Sequence, residues 1–366
     1  MRWTGVFFTI GLILCASYYV VYRLIGILPN PILKVGLTIF AVGIVCCFPL
    51  SFFLRKQIPS KVTSGIFTVG LTWFISCIYL LILFIIFELI RIFGIFSNID
   101  FFAESWTVFG ILFLLISTLL VGGYFNYKKK LRVELNLKLN KETELKAPLK
   151  IVAVSDLHLG HRIRKKEFES WISLINKEKA DIILFAGDLI DNDTKPLFEY
   201  DFASAFHTIQ SKYGLYAILG NHEYVSGVSE SIRFFQTANI TLLRDTATLI
   251  NDQCYIIGRD DLINPQRKST EELVRNLDIT KPMILMDHQP YNLEESEKNH
   301  IDLHLSGHTH YGQFWPVSWI TNLIFEKAYG YLRKGNSHFY ISSGMGIWSG
   351  KYRIGTRSEY VVINLK

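Results

Sequence analysis

Four apolar stretches dominate the first third of the chain, at Val6–Ile27, Ile32–Leu54, Phe67–Phe87 and Thr107–Phe125. Each holds roughly the 20 residues that a helix needs to cross a hydrocarbon core of about 30 Å. None alternates with the polar face that a helix in a soluble bundle would show, so the pattern predicts four membrane spans. A cleaved leader would account for the first stretch alone, and no small-residue cleavage pattern stands out, so the amino terminus is expected to be retained. Trp3, Trp73, Trp106 and Tyr124 lie at or near the span ends, where amphipathic rings favour the interface.

From Asn126 the rhythm changes. "VELNLKLN" alternates as a short strand leaving the membrane surface would, and Pro148 marks a boundary. "LKIVAVSD", "ADIILFAGD" and "GLYAILGN" are runs short and apolar enough for buried strands. Between them, "KKEFESWISLINKE" puts Phe168, Trp171, Ile172 and Ile175 on one helical face, and "FEYDFASAFHTIQSKY" repeats the pattern through Phe198, Phe202, Phe206, Ile209 and Tyr213. Strands alternating with helices define an α/β class with a substantially parallel sheet, because parallel neighbours need crossover helices. Five later segments, "CYIIG", "PMILMD", "IDLHLSG", "HFYISSG" and "EYVVINL", predict a second, more mixed sheet. The expected organisation is a four-span α-helical membrane domain over 1–125, a linker over 126–149 and an α/β domain over 150–366.

Composition adds little to this division. The 50% hydrophobic content of the 366 residues is concentrated in the apolar third. The net charge of +6 comes partly from the span flanks, so no nucleic-acid partner is expected. Arg2, Arg55, Lys56, Lys61, Lys128, Lys129, Lys130 and Arg132 would share one side of the bilayer, against Arg23, Lys34 and Arg91 on the other. That bias places both ends and the α/β domain in the cytoplasm, with Lys128–Lys130 facing anionic head groups. Of the five cysteines only Cys254 lies beyond the membrane part, so no disulfide can form within the second domain.

The chemistry lies at the strand ends. Asp156 and His158, Asp188, Asn221 and His222, His288, and His308 and His310 each follow a strand-like run. Taken singly, an Asp or Asn there is usually a turn residue and a His a hydrogen-bonded side chain. Five such endings in one chain point instead to ligands converging at the carboxyl edge of a sheet. In order, the blocks "DLH", "GD", "GNHE", the single His288 and "GHTH" resemble the calcineurin-like metallophosphoesterases, over roughly Lys150 to Lys366. Within that family the chain is similar to the membrane-tethered branch of YkuE-like and YaeI-like phosphoesterases, through "DLHLSGHTHYGQ" and "SSGMGIWSGKYRIGTRSE". It departs from the pattern in Asp287, where many relatives have a small residue, and in its four-span anchor.

The resemblance implies an αββα four-layer sandwich and two divalent metal ions. Asp156, His158 and His310 would hold one, Asn221, His288 and His308 the other, with Asp188 shared. Mixed imidazole and carboxylate ligation suits manganese, iron or zinc better than calcium. Such a centre activates water and neutralises a phosphoryl group. His222 resembles the family's residue that assists the departing oxygen.

Several motifs remain. His308 and His310 stand two apart, so in an extended segment both would point one way and address adjacent metals, with Gly307 permitting a turn and Thr309 pointing elsewhere. Asp191, Asp193, His207, His300 and His304 have no motif position and read as surface or structural residues. "GHRIRKK", Gly160–Lys166, is either a cationic grip on substrate phosphate or a solvated loop. The aromatic run after the metal loop, with Phe314, Trp315, Trp319, Ile320 and Phe325, is either a lipid-facing rim or packed core.

The function expected is hydrolysis of a phosphodiester or pyrophosphate bond in a lipid-linked substrate, similar to a UDP-2,3-diacylglucosamine hydrolase, at a bacterial inner membrane. The bilayer and the phosphorylated lipid are the expected partners, and the sequence identifies no protein partner. The alternatives are a tethered phosphodiesterase for a soluble nucleotide, and a transporter or sensor with a regulatory metal domain. A transport pathway requires ionisable groups within spans, and here Glu88 and Arg91 come closest, near a span end.

Overall fold

The computed structural model describes residues 3–54, 57–94, 101–139, 145 and 147–366. They fall into two compact units, Met1–Gly123 and Tyr124–Lys366.

The first unit is helical: α1 (Trp3–Ile27), α2 (Pro31–Leu54), α3 (Ser60–Ile92) and the greater part of α4 (Trp106–Lys128). Among the described residues, α3 and α4 are long and apolar enough to cross a membrane. The described apolar portions of the first two helices, Leu14–Ile27 and Pro31–Cys47, are shorter, so the expectation of four spans is met for two helices. Three cations of this unit are paired with carboxylates. Arg23 bonds Glu88, Arg91 Nη2 lies 2.8 Å from the other Glu88 oxygen, and Lys34 bonds Glu104. Glu88 is thereby neutralised locally.

The described residues of the second unit contain twelve strands: β1 (Lys130–Leu137), β2 (Leu149–Val154), β3 (Ile182–Phe185), β4 (Leu215–Ala217), β5 (Thr241–Leu242), β6 (Thr246–Ile250), β7 (Cys254–Gly258), β8 (Met283–Met286), β9 (Leu303–Ser306), β10 (Gly330–Lys334), β11 (Ser337–Ile341) and β12 (Ser358–Leu365). Its helices are α5 (Lys165–Lys177), α6 (Lys195–Glu199), α7 (Phe202–Phe206), α8 (Asn221–Ser226), α9 (Val228–Thr237), α10 (Thr270–Val274), α11 (Leu293–Lys298) and α12 (Val317–Ile324). The strands form two six-stranded sheets, ordered β1-β12-β2-β3-β4-β5 and β10-β11-β9-β8-β7-β6. In the first, β2 to β5 run parallel while β12 is antiparallel to β2. In the second, β7, β8, β9 and β11 are parallel and both edge strands are antiparallel to their neighbours.

Alternation along each strand divides the core. Val152, Val154, Ile183 and Phe185 pack with Phe168, Phe202, Phe206 and Phe234 of the helices. The intervening Ile151, Ala153, Ile182 and Leu184 meet Ile256, Ile284, Met286 and Leu305 of the other sheet. On the far side of the second sheet, Ile257, Met283 and Leu285 meet Leu273 and Val274 of α10.

The stretch read as a linker is mostly structured. Tyr124–Lys128 completes α4, and after it β1 pairs in parallel with β12. The alternation of this segment turns Val133, Leu135 and Leu137 toward the core between the sheets, which is why it joins the fold. Residues 140–144 and 146 of that stretch lie outside the described residues. The last turn of α4 is fixed within this unit: Asn126 Nδ2 donates to the carbonyls of Arg353 at 2.8 Å and Thr356 at 2.7 Å, and Tyr127 donates to Glu167 at 2.9 Å.

Candidate metal centre

Each strand-end residue singled out in the sequence reaches the same cleft. Asp156 and His158 follow β2, Asp188 follows β3, Asn221 opens α8 after β4, His288 follows β8, and His308 and His310 follow β9. The loops that carry them are interlocked, with the Asp156 N–H donating to Gly187 O and the His158 N–H to Asp188 O, both at 3.0 Å. Asp156, His158, Asp188, His308 and His310 all have positive φ, from 47° to 69°. Non-glycine residues adopt that region at a cost, and such strain gathers where a site over-determines its backbone.

Two groups of donors result. His310 Nε2 lies 3.3 Å from Asp156 Oδ1 and 2.9 Å from His158 Nε2. In the second group His288 Nε2 lies 3.2 Å from Asp188 Oδ2, beside His308, whose Nδ1 is 2.8 Å from Asn221 Oδ1. Asp188 Oδ2 is also 3.8 Å from His158 Nε2, so one carboxylate stands between the groups. His288 tests whether a cation fits. Its Nδ1–H donates to Ala186 O at 2.8 Å, while its buried Nε2 has no hydrogen-bond partner among the described residues. A ring oriented by one N–H to a carbonyl, with the other nitrogen aimed among carboxylate and imidazole donors, is the arrangement a metal ligand requires.

The electrostatics agree. Burial alone would raise the Asp188 carboxyl, but His288, His222 and His158 hold it well below the usual carboxylate range. Burial, and then the neighbouring His222, hold His158 well below the ordinary imidazole value, and burial brings His308 down to about 4. Neutral imidazoles and an ionised carboxylate are the forms that ligate cations. Behind the cleft, Glu223 accepts from the N–H groups of Asp188 at 3.1 Å, Ile190 at 2.9 Å and Gly220 at 2.7 Å. Burial and the adjacent Asp188 push its carboxyl up to about 8.

The His308–His310 loop is not extended. Both histidines are left-handed, with φ of 69° and 47°, so the two-residue alternation expected of a strand does not apply. The turn itself sends His308 to one donor group and His310 to the other. Gly307 is needed for space, because a Cβ there would strike Asp156 and Ser155. Thr309 points away and donates to Ala328 O at 2.6 Å.

His222 lies at the mouth. Its Nδ1–H donates to Asp191 O at 2.7 Å, which leaves Nε2 for the cleft. Asp191, which has no motif position, is buried within reach of His158 and His222 and takes a two-pronged bond from Arg162. Arg162 also donates to the carbonyls of Trp348 and Ser349, so its guanidinium is a buried strut and not a grip on phosphate. Lys165 is likewise engaged, with Ser204 at 2.6 Å. Asp193 is buried beside His161, His304 is buried between Ser296 and Ser306, and His207 and His300 are exposed. Asp287, the departure from the family pattern, is buried between Arg259 and Arg267.

Arg353 carried no signal in the sequence. It is fully buried and donates to the carbonyls of His310 at 2.9 Å, Ser343 at 2.6 Å and Gly346 at 2.8 Å. The cleft is closed on its other side by Val317, Thr321, Phe325 and Trp348. Of the expected aromatic rim, Phe314 and Phe325 are buried, the latter with its ring 6.1 Å from that of His308, whereas Trp315, Trp319 and Ile320 are exposed.

The fold and this donor set define a metal-binding phosphoesterase class, and the comparisons agree. The family model described as calcineurin-like phosphoesterase matches residues 149–312. The chain is 34% identical over 250 residues to an uncharacterized metallophosphoesterase of Aquifex aeolicus, covering 66% of this chain and 93% of that one. It is 28% identical over 228 residues to the metallophosphoesterase YkuE of Bacillus subtilis, covering 59% of this chain and 79% of that one. A transmembrane protein with metallophosphoesterase domain from Danio rerio is 26% identical over 270 residues, covering 69% of this chain and 61% of that one. The chain spans about six-tenths of the length of the Helicobacter pylori and Campylobacter jejuni metallophosphoesterases it matches. This chain belongs to the calcineurin-like metallophosphoesterase family, whose fold binds divalent metals.

Proposed function

We propose that the chain is a membrane-anchored, dinuclear-metal phosphoesterase that hydrolyses a phosphodiester or pyrophosphate bond of a lipid-linked substrate resembling a diacylated nucleotide sugar. The observation that carries the hydrolytic reading is the unpartnered Nε2 of His288 among two groups of donors joined by Asp188. Asp156, His158 and His310 would hold one cation and Asn221, His288 and His308 the other. When bound, such ions lower the pKa of water and neutralise phosphoryl charge, and manganese, iron and zinc all suit the donors. His222 would carry a proton at Nε2 to the departing oxygen as the P–O bond breaks, a role supported by the commitment of its other nitrogen to Asp191 O.

The two membrane-length helices support an anchor; in this reading it lies in a bacterial plasma membrane, with α1 and α2 as two further spans and the catalytic unit on the cytoplasmic side. The lipid reading is supported by the wall opposite the metal donors, where Val317, Thr321 and Phe325 would run beside an acyl chain. The test is a substrate pair, a diacylated nucleotide diphosphate in detergent micelles and the same head group without chains, offered to purified protein with Mn²⁺. Far faster cleavage of the acylated member is expected. Equal turnover would favour the soluble-nucleotide reading, and turnover of neither, nor of a small chromogenic phosphodiester, would reject both.

A further inference from the structure

Helix α12 has two faces with different surroundings. Val317 and Thr321, followed by Phe325, line the metal cleft. Away from the cleft Trp319 is 62% exposed, Ile320 56% and Leu323 87%. No charged residue occurs from Phe314 to Phe325. Single exposed apolar residues are ordinary, but a contiguous group of three on an uncharged helix marks a contact surface.

The contact is identified by what else is fastened there. Trp315, two residues before α12, donates its backbone N–H to Ile354 O at 2.7 Å and is itself 38% exposed, with its ring 5.3 Å from that of Trp319. The carbonyls on either side of Ile354, those of Arg353 and Thr356, are the acceptors of Asn126. Asn126 belongs to the last turn of α4, a helix apolar and long enough to cross a membrane. A single four-residue segment therefore holds both the end of a membrane-length helix and the base of the exposed aromatic helix. Tryptophan is the residue favoured at the level of lipid head groups.

We infer that α12 is an interfacial lip: Trp315, Trp319, Ile320 and Leu323 sit in the boundary layer of the bilayer beside the exit of α4, and the opposite face of the same helix opens onto the metal cleft. This rests on the phosphoesterase reading of that cleft and deepens it, because a lipid phosphoester then reaches the donors by sliding along the helix without leaving the membrane. An amphipathic helix lying in the interface buries its apolar face about 5–10 Å deep, which is within reach of bromine carried on acyl chains.

The test uses the full chain reconstituted in vesicles of plain or dibrominated phosphatidylcholine. The emission of Trp319 is isolated as the difference between the unaltered chain and Trp319→Phe, a substitution at an exposed position. Loss of the Trp319 emission in brominated vesicles, with no effect of aqueous iodide, is expected. Quenching by iodide but not bromine would place the face in water and overturn the inference. Insensitivity to both would mean that protein covers it, this chain's own helices or a second copy, and would overturn it equally. Leu323→Asp supplies an independent check: it should narrow the preference for the acylated member of the substrate pair. The optical result needs no turnover, so the lip and the hydrolytic reading can fail separately.

Discussion

Burial by itself would depress the His288 imidazole, but the Asp188 carboxylate beside it raises the ring well above the ordinary value. With Nδ1 committed to Ala186 O, the proton concerned is on Nε2, the atom turned toward the donor group. Metal binding should therefore displace a proton from this ring, and affinity should climb as pH rises. Calorimetry with Mn²⁺ in buffers of different ionisation enthalpy should show the release; heats independent of buffer would refute it. His222 should behave differently. His222→Ala should keep its metal and lose about 10²–10⁴-fold in rate, the usual range for general acid catalysis, whereas Asp188→Asn should lose metal as well. Elemental analysis of the two variants separates the roles, and equal depletion in both would contradict them. At this scale the sequence revealed acids and histidines because they stand at strand ends, a local property. Asp191 and Arg353 were invisible because their significance depends on burial and on partners such as Arg162 and His310, distant in the chain. The His308–His310 geometry was misjudged because alternation presumes an extended backbone, and those residues are left-handed.

The loops between elements leave little room. Gly187 has φ of +87°, and a Cβ there would lie 2.5 Å from His288 Nδ1. Gly187→Ala combines backbone strain of about 1–3 kcal/mol with displacement of a candidate ligand. It should melt earlier than the unaltered chain and retain less metal, and normal metal content would show that the loop relaxes. Asn126→Ala removes two donors from the segment that carries Trp315. Leaving two carbonyls short of partners costs about 1–3 kcal/mol, which should appear as a lower melting temperature with metal content preserved. Most strands were legible from their apolar runs, and the alternation of "VELNLKLN" was already strand-like. What no local pattern could disclose is that β1 pairs with β12, because pairing across more than two hundred residues is settled by which edges remain open in three dimensions.

For the whole chain, four spans with eight cations on one side of the bilayer against three on the other would put the catalytic unit in the cytoplasm, the orientation proposed above. Carboxy-terminal fusions to a fluorescent protein and to alkaline phosphatase should give fluorescence without phosphatase activity, and the reverse would show the charge bias overridden. The order of the first sheet has a consequence for how the molecule is made. β12, last of the strands in the chain, lies between β1, which follows α4 directly, and β2. During synthesis the apolar helices emerge before this sheet, and the strand that closes it emerges after its other strands. Until Ser358–Leu365 leaves the ribosome, β1 and β2 present unsatisfied edges on a nascent chain already held at a lipid surface, where neighbouring nascent chains are concentrated. A ribosome that stops short of Ser358 thus leaves a tethered fragment with an open sheet, an object for membrane proteases and chaperones.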